Sequence, residues 1–340
     1  MATLWPARGH PSAGRGVEPV AVSEVRHHTV QVPATTANVG AGFDAFGLAL
    51  DQHLLVRSVP RHQQEERVRV LDDGVVPSGD DNLIWRSFVA FCAHHEVEVP
   101  DVGLVARSEI PLERGLGSSS AAIVAGLTLA REVTGVRTGD REVVALATEL
   151  EGHPDNVAPA VLGGLVACAR DDDAGLVIRR VNPTPALRPV LFVPELRQAT
   201  TAARAVLPSS LPREDVASQA ARAGHVLAAL VGTWPVAPQL GGDLLHEPSR
   251  LEVMPAAGAL LAALRERGVH AWLSGAGPSI AAAVPAGDER PLGALRPLAD
   301  AHEVALVLSA FDLSGARGCP DGGCGLSGIA GCSHCPRRRL

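Results

Sequence analysis

The sequence predicts an α+β chain folded as two domains, on three observations. There are 340 residues, enough for one large or two ordinary domains. Hydrophobic residues make up 46% and charged residues 20%, so a sizeable core can be buried. Strand-like and helix-like stretches mix without a regular strand–helix–strand alternation, which argues against a doubly wound sheet.

Taken in order, residues 1–25 are rich in Pro, Gly and Arg and read as a disordered extension. Residues 29–33 read as a strand entering a turn of small residues. Residues 102–110 alternate, with Leu104, Ala106, Ser108 and Ile110 on one face and Val105, Arg107 and Glu109 on the other, a half-buried strand. Pro111 ends it and a glycine-rich loop follows. Ile123, Leu127 and Ala130 then recur at helical spacing. Asp140 is placed to cap a helix bearing Val143, Val144, Ala147 and Leu150, with Gly152 just past its end. The proline-rich stretch 182–189 marks a boundary between the halves. A helix is expected from Pro255 to Arg267, stopped by Gly268. Two short strands, 270–273 and 279–284, flank a glycine-rich turn. The domains are therefore drawn at 26–185 and 186–317, followed by a flexible Cys/Gly-rich tail, 318–340. No internal repeat is visible.

Composition removes several function classes. Aromatics are 3% and Tyr is absent, which disfavours a base-stacking platform. The formal charge of -7 argues against nucleic acid or an anionic membrane as partner. No apolar run reaches the ~18 residues of a membrane span, and residues 1–20 lack the apolar core of a secretory signal. A cytoplasmic protein is expected. Lysine is absent and all 30 basic residues are arginine, so a phosphate loop built around a lysine is excluded. Cys92 and Cys168 sit in apolar runs and read as buried thiols.

The most informative segment is Pro111-Leu112-Glu113-Arg114-Gly115-Leu116-Gly117-Ser118-Ser119-Ser120-Ala121. Gly115 and Gly117 let backbone approach a ligand, and the serines open a helix. A helix N-terminus presents unpaired N–H groups and a positive dipole end, which suits a triphosphate. A serine hydroxyl there can ligate Mg²⁺, and Arg114 can place a positive charge beside the phosphates. The same pattern also reads as a Gly-Ser turn with a serine cap.

The loop resembles the phosphate motif of the GHMP kinases. Five further segments resemble those of the homoserine kinases within that family: 32–48, with Asn38 and Asp44; 151–164, beginning Glu151-Gly-His-Pro-Asp-Asn156; 200–208, with Thr200 and Arg204; 243–250, with Arg250; and 273–280, with Ser274 and Gly275. The resemblance covers residues 28–317. It implies a GHMP kinase fold, with an N-terminal ribosomal-protein-S5-like domain and a C-terminal ferredoxin-like α/β sandwich. It implies ATP and Mg²⁺ as cofactors and L-homoserine as substrate, phosphorylated on its hydroxyl in a step toward threonine. A homodimer is implied as well. The resemblance places Ser119 and Glu151 on the metal and Asn82 near the adenine. The loop residues 111–121 fall on the nucleotide. Asn38, Asp44, His153, Thr200, Arg204, Arg250, Ser274 and Gly275 fall at the substrate, with Asp155 and Asn156 in the catalytic segment. Mevalonate and galactose relatives use an Asp as base. Asp155 lies in the comparable segment here, and its role stays open.

Elementary chemistry agrees with the substrate. An amino acid needs a carboxylate for its ammonium, which Asp44 supplies. It also needs guanidinium forks for its carboxylate, which Arg204 and Arg250 supply. Asn38 can orient the hydroxyl. Taken singly, Asn38 and Asp44 also suit a glycine-rich turn, lone arginines a solvated surface, and His153 a helix end. Glu149 and Glu151 point to different faces, and the resemblance selects Glu151. The alternatives are another GHMP small-molecule kinase or a non-catalytic ligand-binding relative. The tail carries Cys319, Cys324, Cys332 and Cys335 with His334; zinc ligation and a flexible extension are both compatible with it.

Overall fold

The computed structural model describes residues 27–71, 76–172, 175–197, 200–288 and 290–319. The expected extension 1–25 and the tail from residue 320 lie outside the described residues.

Two sheets organise the chain. The first uses β1 (Thr29–Asn38), β2 (Gly42–Pro60), β3 (Val68–Val70), β4 (Val102–Ser108), β5 (Leu165–Asp171), β6 (Gly175–Val181) and β11 (Arg317–Cys319). Its order is β11-β1-β2-β4-β3, with β5 pairing β2 and β6 pairing β5. Strand β2 is long enough to serve two neighbours on one edge. Phe46–Leu48 pairs with β5 and Leu54–Pro60 with β4, while β1 runs along the other edge. Register shifts at Pro33/Ala34 and Ala37/Asn38 bend the β1–β2 ribbon and re-aim its tip. The second sheet is β7 (Leu187–Val193), β8 (His270–Leu273), β9 (Ile280–Pro285) and β10 (Ala305–Leu308), all antiparallel in the order β10-β7-β9-β8.

Helices α1 (Leu83–His94), α2 (Ser118–Thr134), α3 (Asp140–Glu151) and α4 (Pro154–Leu162) cover the first sheet. α2 is buried from Ser120 to Ala130 except at the half-buried Ala122, and packs on α1, α3, α4, β1 and β2. A helix apolar all round belongs in a core rather than on a surface. α5 (Thr200–Ala205), α6 (Arg213–Leu230), α7 (Glu247–Glu252), α8 (Pro255–Glu266) and α9 (Arg290–Ala301) accompany the second sheet. Alternation along β7 divides the cores. Val190 and Phe192 face Leu260, Leu264 and Leu295 of α8 and α9. Leu191 and Val193 join the first sheet's core with Val226 and Leu230 of α6. Cys92 and Cys168 are buried free thiols, pushed up to about 11 and about 12 by burial.

Two expectations need correction. Asp140 is the first residue of α3, not its cap. Gly139 holds the cap position, and the Asp140 carboxylate accepts from Arg131 at 3.0 Å while still facing the helix dipole. A boundary at residue 317 also cuts through structure. β11 returns to pair with β1, Thr29 opposite Cys319, and Phe311 bridges Leu50. So short a strand, with Gly318 at its centre, carries no periodicity, and the open edge of β1 decides its place.

Asp312 anchors that return. Its Oδ1 accepts from the Ser314 and Gly315 amides, both at 2.8 Å, and its Oδ2 meets His53 Nε2 at 2.9 Å and Arg317 at 3.3 Å. Burial alone would raise its pKa, but these donors outweigh it and hold the carboxyl at about 2, against 3.8 ordinarily. The stabilisation is therefore complete above pH 3.8 and lost as pH falls through about 2. Asp312→Asn is expected to cost about 2 kcal/mol at neutral pH. In urea titrations the gap from wild type should close between pH 4 and 2, and a constant gap would refute the assignment.

Candidate active site

The chain leaves β4 through Ile110 and Pro111 and enters α2 at Ser118, with Gly117 as N-cap at φ +69°. A Cβ at Gly117 would lie 2.0 Å from Thr35 Oγ1, so glycine is required for space as well as for conformation. Gly115, at φ +74°, packs on the turn between β8 and β9, where a Cβ would meet the Ser274 carbonyl at 2.2 Å. Ser274 Oγ donates to the Gly115 carbonyl at 2.7 Å. Asn38 Nδ2 donates to the Gly275 carbonyl at 2.9 Å. The predicted 111–121 loop, the 38–44 turn and the 274–277 turn thus converge where the two sheets meet.

Two cavities open there. A polar one of about 320 Å³ is lined by Asn38, Asp44, Ser119, Glu151, Arg204 and Arg250, among others. An apolar one of about 470 Å³ is walled by Leu54, Val70, Leu83, Ile110 and Leu112, with Asn82 at its edge. Ser118 and Ser119 line both. The first amides of α2 have no intrahelical carbonyl to bond, and they lie at this junction.

Glu151 ends α3 beside the loop. Its Oε1 accepts from Ser119 Oγ at 2.6 Å and Ser120 Oγ at 2.8 Å. These donors are all hard oxygens, which suit Mg²⁺. Gly152, at φ +93°, turns the chain into α4, which carries Asp155 and Asn156 on its first turn. Asp155 is 2% exposed and meets His153 Nδ1 in a short hydrogen bond. Burial pushes the His153 pKa down, but Asp155 and then Glu151 outweigh burial, and the net shift is upward. Asn156 Oδ1 accepts from Thr35 at 2.8 Å.

Asp44 and Arg204 form a two-pronged ion pair, Nη2–Oδ1 2.8 Å and Nη1–Oδ2 3.1 Å. Arg250 is 2% exposed. Its Nε donates to the Ala203 carbonyl at 3.1 Å, and its Nη1 donates to the Gly275 carbonyl at 2.9 Å and to His246 Nδ1 at 3.1 Å. Phe43 lies under its guanidinium at 5.4 Å and stacks on His246. Burial, with Arg250 and Arg265 nearby, holds His246 well below its usual pKa, so the ring stays neutral and can accept from Arg250. Asn38, Val39 and Asp44 all have positive φ (68°, 46° and 53°), costly for non-glycine residues and typical of a loop shaped for ligand.

Several of the expected site residues also bond to the protein itself. Arg114 donates to the carbonyls of Pro194 (2.7 Å), Glu195 (2.7 Å) and Leu112 (3.3 Å), so it fastens the loop to the end of β7, and it also lines the apolar cavity. Leu116 and Ala121 are core side chains, and the Ala121 amide already bonds the Gly117 carbonyl. Ser274 is fully buried, its hydroxyl on Thr36 and Gly115. Pro111 and Leu112 line the apolar cavity; Glu113, Gly115, Gly117, His153, Asp155, Asn156 and Gly275 line the polar one. Thr200 opens α5, and its side chain lies outside the described residues. Sequence reasoning missed Phe43, His246 and Thr35. All three lie inside the motif segments, but support of another side chain has no sequence signature of its own.

Residues 82–164 match the family described as GHMP kinases N terminal domain. The homoserine kinase of Moorella thermoacetica is 39% identical over 255 residues, covering 74% of this chain and 86% of that enzyme. The homoserine kinase of Thermus thermophilus is 41% identical over 263 residues, covering 77% and 88%. Among solved structures, homoserine kinase from Cytophaga hutchinsonii superposes with a TM-score of 0.74 at 25% identity, covering 89% of this chain and 100% of that one. A phosphomevalonate kinase from Streptococcus pneumoniae, 14% identical with a TM-score of 0.65, shares the fold.

Proposed function

This chain belongs to the homoserine kinases of the GHMP superfamily, and on that premise we propose that its polar cavity holds the L-homoserine it phosphorylates and its apolar cavity the adenine of ATP. The reaction moves the γ-phosphoryl group of ATP to the side-chain hydroxyl, giving O-phospho-L-homoserine and ADP. The observation that carries the assignment of cavities is their meeting at Ser118 and Ser119, with Asp44, Arg204 and Arg250 all on the polar side.

Homoserine is a zwitterion at its α-carbon. In the ligand-free arrangement Asp44 and Arg204 satisfy each other. An incoming ammonium and carboxylate can enter between them, Asp44 taking the ammonium and Arg204 with Arg250 the carboxylate. Each charge exchanges one partner for another, so none is left desolvated and alone. The side-chain hydroxyl then extends toward the α2 amides, with Asn38 to orient it. The γ-phosphate rests on the Ser118–Ser120 amides, which stabilise charge on the transferring group. The hydroxyl oxygen forms its bond to phosphorus as the bond to the ADP oxygen breaks, in line. Phosphoryl transfer depends mostly on positioning and charge neutralisation, so no strong base is demanded. Asp155, gripped by His153, is the candidate to take the proton, and turnover of Asp155→Asn measures how much it contributes.

Mg²⁺ fits the donor set of Ser119 and Glu151 and would supply charge neutralisation of the phosphates. The same reading includes a homodimer and a cytoplasmic location, which the family likeness supports. Among the described residues no helix is long and apolar enough to cross a membrane.

The test is a coupled ADP-release assay on the purified chain with homoserine, mevalonate and galactose. Turnover is expected with homoserine alone. Turnover with another alcohol, or ADP release independent of any acceptor, would overturn the reading.

A further inference from the structure

We propose that His94, His95 and Glu142 form a site for one zinc-class divalent ion, separate from the Ser119–Glu151 pair, that clamps the end of α1 to the start of α3. Glu142 Oε1 lies 3.5 Å from His94 Nε2 and 3.8 Å from His95 Nε2, and the three ligand atoms all fall within 4.8 Å of one another. Zinc bonds to imidazole nitrogen and carboxylate oxygen at about 2.0–2.1 Å, which in a tetrahedron sets ligand atoms about 3.3 Å apart. The three atoms, at most 4.8 Å apart, must draw together by up to about 1.5 Å to complete three corners, and water can take the fourth.

A second observation singles out the same place. His95 Nε2 is buried and has no hydrogen-bond partner among the described residues. A buried polar atom left so is costly, and its distance to Glu142 is too long for a hydrogen bond. The ring is held on its other side by Phe91, at 4.4 Å between centroids. Thr138 Oγ1 donates to Glu142 Oε2, which fixes the carboxylate with Oε1 toward the imidazoles. Such outer partners orient metal ligands generally. The His94 and Glu142 side chains are 45% and 48% exposed, so an ion can enter.

Two imidazoles and one carboxylate suit zinc, whereas Mg²⁺ prefers an all-oxygen shell. The clamp would lie at the outer ends of two helices that serve the active site. α1 starts at its cap Asn82 beside the apolar cavity, and α3 ends at Glu151 beside the polar one. α1 and α3 both pack on α2, and the ion would join them directly.

The test titrates Co²⁺, then Zn²⁺ as competitor, into the full chain freed of metal by chelator and carrying no affinity tag. Because the tail holds cysteines, a variant with Cys319→Ser, Cys324→Ser, Cys332→Ser and Cys335→Ser is run in parallel. The expected result is one Co²⁺ per chain in that variant, with ligand-field bands, no thiolate charge-transfer band, and displacement by Zn²⁺. In the same background His95→Ala and Glu142→Gln should each lower affinity by more than the roughly 10–100-fold that loss of an outer partner costs. Zn²⁺ but not Mg²⁺ should raise the thermal midpoint of the parent, and not of Glu142→Gln. Absence of binding in the serine variant, or binding unchanged in both His95→Ala and Glu142→Gln, would overturn the proposal.

Discussion

Glu151→Gln is expected to lower kcat with homoserine by about 10²–10³-fold, the usual effect of removing one group that stabilises transferring charge. The amide keeps an oxygen able to accept from the Ser119 and Ser120 hydroxyls, now at 2.6 and 2.8 Å from Oε1, so the loop keeps its shape. What disappears is the negative charge at the mouth of the α2 amides, with its attraction for a cation. Glu151 is partly exposed at the end of α3, and the amide keeps an acceptor for the buried Ser120 hydroxyl, so the thermal midpoint should move little. Initial rates over a Mg²⁺ series give the measurement. Near-wild-type turnover at saturating Mg²⁺ would remove Glu151 from its assigned role.

Arg250→Ala is expected to lower kcat/KM for homoserine by about 10²–10³-fold, mainly through KM, within the 2–5 kcal/mol that loss of a buried charged partner costs. Arg250 is pinned by the Ala203 and Gly275 carbonyls, His246 and the face of Phe43, so its guanidinium is oriented before substrate arrives. Arg250→Lys keeps the charge but not the fork that serves three acceptors at once, and should recover only a small part of the loss. The KM for ATP is the internal control. A parallel rise there would mean that the junction of the sheets had collapsed, whereas an unchanged KM for homoserine would sever Arg250 from the substrate.

Much of this protein was legible in order along the chain. The half-buried alternation at 102–110 became β4, Gly152 ended α3 in the left-handed conformation, and Pro255 and Gly268 bracketed α8. The glycine–serine loop announced a helix N-terminus with close backbone approach, and both requirements are visible at Gly115 and Gly117. Within the loop, though, sequence spacing could not tell ligand-facing residues from structural ones. Arg114 reads as a phosphate cation from its place in the loop, and its side chain also clamps the loop. Its acceptors, at Pro194 and Glu195, lie some 80 residues on. Ser274, placed at the substrate by the resemblance of segment 273–280, bonds Thr36 and Gly115 of other elements.

The chemical inventory can be read along the chain without any fold: no lysine, an amide cradle at the start of α2, a carboxylate at the end of α3, and a carboxylate with two arginines suited to an amino acid. Periodicity, turn conformation and helix termini are local properties, set by residues a few positions apart, so they survive without a fold. Only the tertiary structure decided the pairings. Asp44 meets Arg204 across 160 residues, β11 returns to β1, and Arg250 is seated on His246 and Phe43. Such contacts arise when the two sheets close on each other, and closure depends on how cores pack rather than on any neighbouring residue.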